Sequence, residues 1–153
     1  MKIFKIRFIQ YSMKTLSVCI IAKDEEKLLG RCLGSVAELA DEIVVVDTGS
    51  TDDTVKIARA FTQHVYPFTW CDDFSKARNF AFSKASMPYI YTADADEVVS
   101  EENRQRFLQL KEVRLPEIDI VQMKYGNQLQ NGTVYNFDEE YRPKLFRRLR
   151  SFV

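Results

Sequence analysis

Apolar positions in this chain switch between short continuous runs and helical spacing. Leu16-Ser17-Val18-Cys19-Ile20-Ile21-Ala22 is almost unbroken, the pattern of a strand buried on both faces of a parallel sheet. Leu28, Leu29, Cys32, Leu33 and Val36 then recur at i, i+1, i+4, i+5 and i+8, which is one face of a helix. Ile43-Val44-Val45-Val46 predicts a second buried strand ending at Asp47. Thr48-Gly49-Ser50-Thr51 is turn chemistry. Ser50 or Thr51 is expected to cap a helix from about Asp52 to Phe61, and the acids Asp52 and Asp53 suit its positive end. His64-Val65-Tyr66 reads as a short strand. Asp72 or Asp73 caps a helix through Phe74, Ala77, Phe80 and Ala81, which Pro88 ends. Tyr89-Ile90-Tyr91-Thr92 is the next strand and delivers Asp94-Ala95-Asp96-Glu97. A polar helix follows, roughly Glu101 to Val113. Beyond Pro116, Ile118 to Leu129 and Thr133 to Phe137 flank Asn131-Gly132, a hairpin turn signal.

This order predicts an α/β fold: a three-layer α/β/α arrangement around a mostly parallel, doubly wound sheet, with a C-terminal antiparallel hairpin. The expected division is an N-terminal extension or edge strand over 1–15, an α/β domain over 16–115, and the hairpin region over 116–153. Ligands of such sheets sit at the carboxyl ends of the strands. Polar clusters fall there at Lys23-Asp24-Glu25-Glu26, at Asp47 to Asp53 and at Asp94 to Glu97. One fold rule therefore brings sequence-distant acids to one rim.

Composition narrows the functional classes. The chain has 153 residues, 46% hydrophobic and 29% charged, which reads as soluble and globular. Lysine plus arginine equals aspartate plus glutamate, 22 each, which argues against a general nucleic-acid binder. The cysteines Cys19, Cys32 and Cys71 are odd in number and irregularly spaced, as expected of reduced thiols in the cytoplasm. Cys19 and Cys32 lie in apolar periodic segments and read as core. No apolar run is long enough to span a bilayer, which leaves surface contact as the way this chain meets a membrane. Met1 to Ser12 is apolar and basic, but Lys5 and Arg7 make it a poor signal peptide. The sole histidine, His64, leaves no His-based metal site or Ser-His triad.

The acidic strand ends carry the candidate chemistry. If the backbone at Asp94-Ala95-Asp96 is extended, both carboxylates point to one side. They then repel each other unless a cation lies between them. Hard cations such as Mg²⁺ or Mn²⁺ take oxygen ligands and bridge carboxylates to phosphates. An isolated Asp-x-Asp is more often a solvated loop or a cap; its place after a buried strand favours the metal. Asp47 is either an acceptor for a base or ribose or a turn residue capping Gly49-Ser50, and the two readings weigh equally. Glu25 is either a site acid or a first-turn acid on the helix dipole. Arg78 either pairs with Asp72 or Asp73 or offers planar donors to a pyrophosphate or base.

The runs Leu16 to Glu26, Asp41 to Thr54, Asp72-Asp-Phe-Ser-Lys-Ala-Arg-Asn-Phe80 and Asp94-Ala-Asp-Glu97 stand in order. Together they resemble the nucleotide-sugar-binding half of family 2 glycosyltransferases, which have the GT-A-type fold. The resemblance covers about Leu16 to Ser100, and the Asp72 to Asn79 stretch looks most like a bacterial branch that includes lipopolysaccharide-core and peptide glycosyltransferases. It implies that Ala22, Lys23 and Glu25 line a nucleoside pocket and that Asp47 accepts from the base. It implies that Arg78 approaches the base or diphosphate, that Asp94 contacts the ribose or a metal-bound water, and that Asp96 ligates the Mn²⁺ or Mg²⁺ that holds the diphosphate. The implied activity is inverting transfer of a sugar from a nucleoside-diphosphate sugar to a glycan, lipid or peptide acceptor, with a base deprotonating the acceptor hydroxyl.

Pro143 to Arg148 resembles the basic segment where such enzymes re-enter the fold before their acceptor region. Asp138, Glu139 and Glu140 read as a solvated acidic loop, so the catalytic base is unassigned. The alternative function is a non-catalytic nucleotide-binding or interaction module derived from such an enzyme and lacking the acceptor half. A phosphate-handling protein of the response-regulator type ranks below both, because no suitable lysine follows a later strand. An exposed hairpin edge or unfinished sheet favours self-association into a homo-oligomer.

Overall fold

Strand β1 (Leu16–Ala22) is buried along nearly its whole length, and the sheet forms around it. The structure, a computed structural model, describes residues 14–113, 119–124, 127–128, 134–135 and 141–148. On one side β1 pairs in parallel with β2 (Glu42–Asp47), and β2 with β3 (Val65–Pro67). On the other it pairs in parallel with β4 (Tyr89–Asp94). The register sets Ala22 beside Asp47 and Ile21 beside Asp94. The acidic ends of β1, β2 and β4 therefore share one rim.

Helices α1 (Leu29–Val36), α2 (Thr54–Phe61), α3 (Phe74–Lys84) and α4 (Glu101–Val113) follow β1, β2, β3 and β4 in turn. Alternation along the strands assigns the two faces. Leu16, Val18, Ile20, Tyr89, Tyr91 and Ala93 pack with Leu29, Cys32, Leu33, Val36, Ala58 and Phe107 of α1, α2 and α4. Cys19, Val44, Val46 and Ile90 pack with Ala81 and Ala85 at the end of α3. This is the expected three-layer arrangement, and Cys19 and Cys32 are free core thiols as the apolar spacing implied. Among the described residues no helix is long and apolar enough to cross a membrane.

Two local expectations need correction. Helix α2 begins at Thr54 rather than Asp52, and neither Ser50 nor Thr51 caps it. The hydroxyls of both face Asp24 of the neighbouring loop instead: Ser50 Oγ accepts from the Asp24 amide at 2.9 Å, and Thr51 Oγ1 donates to Asp24 Oδ1 at 3.3 Å. At α3 the cap is Asp73, whose carboxylate accepts from the Ser75 and Lys76 amides.

The second concerns the Ile118 to Leu129 run, whose described residues fall in two strands. Its first part is β5 (Ile120–Lys124), which pairs antiparallel with β8 (Tyr141–Arg147). Strand β8 in turn pairs antiparallel with β4, so the main sheet has six strands in the order β3-β2-β1-β4-β8-β5. Among the described residues, β6 (Asn127–Gln128) and β7 (Val134–Tyr135) pair as a separate antiparallel ladder, which is the expected C-terminal hairpin. A lone two-stranded hairpin is marginal in water, whereas β5 on the free edge of β8 completes that strand's main-chain hydrogen bonds. The Asn131-Gly132 turn, Asp138, Glu139, Glu140, the segment 114–118 and residues 1–13 of the N-terminal extension lie outside the described residues.

Candidate functional site

The loops after β1 and β2 are tied together by reciprocal hydrogen bonds. The Glu25 amide donates to Thr54 Oγ1 at 2.7 Å and the Glu26 amide to Asp52 Oδ2 at 3.2 Å. In return, the Thr51 amide donates to Asp24 Oδ1 at 2.7 Å and the Asp53 amide to Glu26 Oε2 at 3.2 Å. Asp24 adopts a left-handed φ of 53° within this lattice. Asp24, Glu26 and Asp52 thus hold backbone amides, and these acids of the first two clusters work structurally. Glu25 keeps its side chain out of the lattice. Burial raises its pKa, and the nearby charges of Asp96 and Asp52 raise it further. That coupling between the end of β1 and the end of β4 is the convergence the fold rule predicts.

Asp47 behaves as a turn residue. Its carboxylate accepts from the Gly49 amide at 3.2 Å and from the Ser50 amide at 3.2 Å, and Gly49 has φ 106°, which suits glycine. The same residue borders a depression of about 440 Å³ lined by Asp47, Thr48, Gly49, Pro67, Phe68, Thr69 and Trp70. The indole of Trp70 is held there by its Nε1–H, which donates to Asp72 Oδ1 at 2.9 Å, and by edge contact with Phe74. Asp72 has a left-handed φ of 55°. The aromatic wall was missed in sequence; its signal was an isolated tryptophan three residues beyond a strand.

At the end of β4 the backbone is not extended through the Asp-x-Asp. Asp94 closes the strand, Ala95 and Asp96 form a turn, and the Glu97 amide donates back to the Asp94 carbonyl at 2.9 Å. The period-two argument for Asp94 and Asp96 therefore fails, because a turn reverses the chain between them. Glu97 is the acid folded onto Asp94: its Oε2 accepts from the Asp94 amide at 3.0 Å. Lys144 of β8 completes the group, with Nζ 2.6 Å from Glu97 Oε1 and 3.3 Å from Asp94 Oδ2. Asp96 is exposed. Beneath them the Cys32 thiol donates to the Asp94 carbonyl at 3.4 Å. Burial, then Glu97, Asp96 and Asp94, push that thiol up to about 12, with Lys144 opposing.

The remaining candidates are placed as follows. Ala22 is buried at the end of β1, its carbonyl accepting from the Thr48 amide at 3.0 Å. Lys23 is exposed beside it. Arg78 is exposed on α3 and pairs with neither Asp72 nor Asp73; Lys76 takes Asp73 at 3.9 Å. No group of three or more His, Cys, Asp and Glu residues is arranged to hold a metal among the described residues. Sequence reasoning did not find Lys144. Lys144 lies in a strand that also carries Arg142 and Arg147, so its sequence neighbours did not single it out.

The sequence profile described as glycosyl transferase family 2 matches residues 17–152. The chain belongs to glycosyl transferase family 2. The match runs past Ser100 and through β8, further than the ordered motifs alone reached. A TPR repeat-containing protein of Synechococcus elongatus is 44% identical over 59% of this chain and 22% of its own length. The SPbeta prophage-derived glycosyltransferase SunS of Bacillus subtilis is 38% identical over 65% of this chain and 24% of its own. The match thus spans about a quarter of these relatives. Glucosyl-3-phosphoglycerate synthase from Mycobacterium tuberculosis, crystallised with Mg²⁺ and uridine diphosphate, superposes with a TM-score of 0.50 at 26% identity. That similarity covers 56% of this chain and 34% of the synthase. The α/β architecture of this family 2 chain is accordingly the GT-A type.

Proposed function

We propose that this chain is the donor-binding part of an inverting glycosyltransferase acting in the cytoplasm on a nucleoside-diphosphate sugar. The observation that carries the reading is the convergence of the Glu25, Asp47 and Asp94–Glu97 strand ends on one rim beside an open depression. Free thiols, including exposed Cys71, support a reducing compartment.

In this reading Ala22, Lys23 and Glu25 border the nucleoside, and Asp47 accepts from the base with the lone pairs its own turn leaves open. Arg78, exposed on α3 and without an ion pair among the described residues, offers donors to the diphosphate. Asp96, with Asp94 beside it, is the position for Mg²⁺ or Mn²⁺. The residues fit such a cation. Mg²⁺ sites commonly use one or two carboxylates together with substrate phosphates rather than an all-protein cage, and exposed Asp96 with half-exposed Asp94 is a donor set of that kind. A bound cation supplies Lewis-acid stabilisation of the charge that builds on the departing diphosphate. The protein's own part is to hold the acids, fix the nucleoside and leave the anomeric carbon open to an acceptor hydroxyl on the opposite side. The acceptor, a glycan, lipid or peptide, approaches from the open rim.

The test is calorimetry with UDP and GDP, each with and without Mg²⁺ or Mn²⁺. At least one diphosphate should bind more tightly with metal, and Asp96→Ala should remove the metal effect while sparing the fold. No binding of either nucleotide under any of these conditions would rule the reading out.

A further inference from the structure

Lys144 is 8% exposed, and its side chain reaches two acids of the β4 end from a strand 50 positions away from Asp94 in sequence. Glu97 is nearly as enclosed, with 13% of its side chain exposed against 10% for Lys144, while Asp94 keeps 47%. Water screens the Lys144–Glu97 contact poorly. A buried ion pair is a weak way to stabilise a fold, since an apolar pair of similar volume usually does as well. Leu145, the next residue, already packs β8 into the core. The ammonium sits one residue beyond the Tyr91–Leu145 pair, at the functional rim.

We propose that Lys144 is a positioning residue of the diphosphate site. Its ammonium holds Glu97 and one oxygen of Asp94, Oδ2, together at the end of β4 and leaves Asp96, with the other Asp94 oxygen, for a divalent cation. The inference rests on the donor-binding reading above and adds a residue to it. Without Lys144 the rim carries adjacent unpaired carboxylates. They attract a bare cation more strongly, hold it in the wrong place and repel the incoming diphosphate. With Lys144 present, the cation is held weakly by the protein alone and firmly only when phosphate oxygens join it.

The two effects have opposite signs, which a merely structural lysine would not produce. Mn²⁺ alone is titrated against the full chain by electron paramagnetic resonance, and UDP is then titrated at saturating Mn²⁺ by calorimetry. Lys144→Gln should bind Mn²⁺ alone more tightly, on the order of tenfold, because a unit charge close to a dication has been removed. The same variant should bind UDP more weakly, by a comparable factor. Glu97→Gln should shift Mn²⁺ affinity the other way, and Lys144→Arg should behave as the parent in both titrations. Mn²⁺ affinity unchanged in Lys144→Gln overturns the proposal. If that chain does not fold, unchanged affinity in Glu97→Gln overturns it. A parent chain that binds neither Mn²⁺ nor UDP strikes instead at the donor-binding reading.

Discussion

A carboxylate has about four lone-pair sites, and the turn at Asp47 occupies only part of that capacity through the Gly49 and Ser50 amides. The turn role therefore leaves room for the ligand-facing role proposed for the same side chain. The sequence left those roles evenly balanced because both need an acid before a tight turn. The turn itself depends on Gly49, whose φ of 106° is the left-handed region that side chains avoid. An added Cβ there meets nothing within 4 Å, so Gly49→Ala tests backbone strain alone. Denaturant unfolding should show a loss of about 1–2 kcal/mol; an unchanged midpoint would mean the turn relaxes freely. Lys144 was illegible for a different reason. Period-two alternation says which face a strand residue takes, but not which acid of another strand stands opposite it. That pairing needs the β4–β8 register, which local pattern does not contain.

Elements were legible where the apolar period was long and less so where polar side chains decide the ends. Strands β1, β2 and β4 and helices α1 and α3 follow the hydrophobic pattern, and α4 forms over the polar stretch expected of it. The start of α2 moved because Ser50 and Thr51 bond across to Asp24, a choice between local and non-local partners that a sequence window does not see. The α3 cap is the opposite case: Asp73 Oδ1 accepts from the amides two and three residues on, at 2.9 and 3.3 Å. These contacts are local, so the residue pattern narrowed the cap to Asp72 or Asp73, and the structure selects Asp73. Asp73→Ala should destabilise the chain by about 1 kcal/mol, and Asp73→Asn by much less, since asparagine caps nearly as well. Thermal unfolding of the two variants separates capping from charge, because a purely electrostatic role would make them equal. The splitting of the Ile118 to Leu129 run follows from the sheet: an open edge on β8 is a better partner than a hairpin arm.

Across the whole molecule the two ends of the sheet carry different work. The carboxyl ends hold the candidate site. The opposite end is closed by Glu42, the first residue of β2. Its carboxylate accepts from Ser17 Oγ of β1, and from the Ser86 amide at 2.8 Å and Ser86 Oγ at 2.9 Å ahead of β4. Burial pushes the Glu42 pKa up, but the hydrogen bonds from Ser17 and Ser86 outweigh it and leave it below the ordinary 4.5. The sign of the linkage follows. A carboxyl group with a depressed folded pKa adds stability above its unfolded value, and that contribution fades as pH falls through the folded value. Glu42→Gln should therefore lower stability near neutral pH and flatten the acid limb of the stability profile below about pH 4.5, the ordinary value. Glu42 and Asp47 are the two ends of one strand, about 16 Å apart at roughly 3.3 Å per residue. Solvent and salt screen charge over that distance, so UDP affinity at pH 7 should match the parent. Urea melts from pH 3 to 7, paired with one calorimetric titration, check both halves. An unflattened acid limb would remove Glu42 as the titrating group, and weakened UDP binding would show that the closed end of the sheet reaches the site.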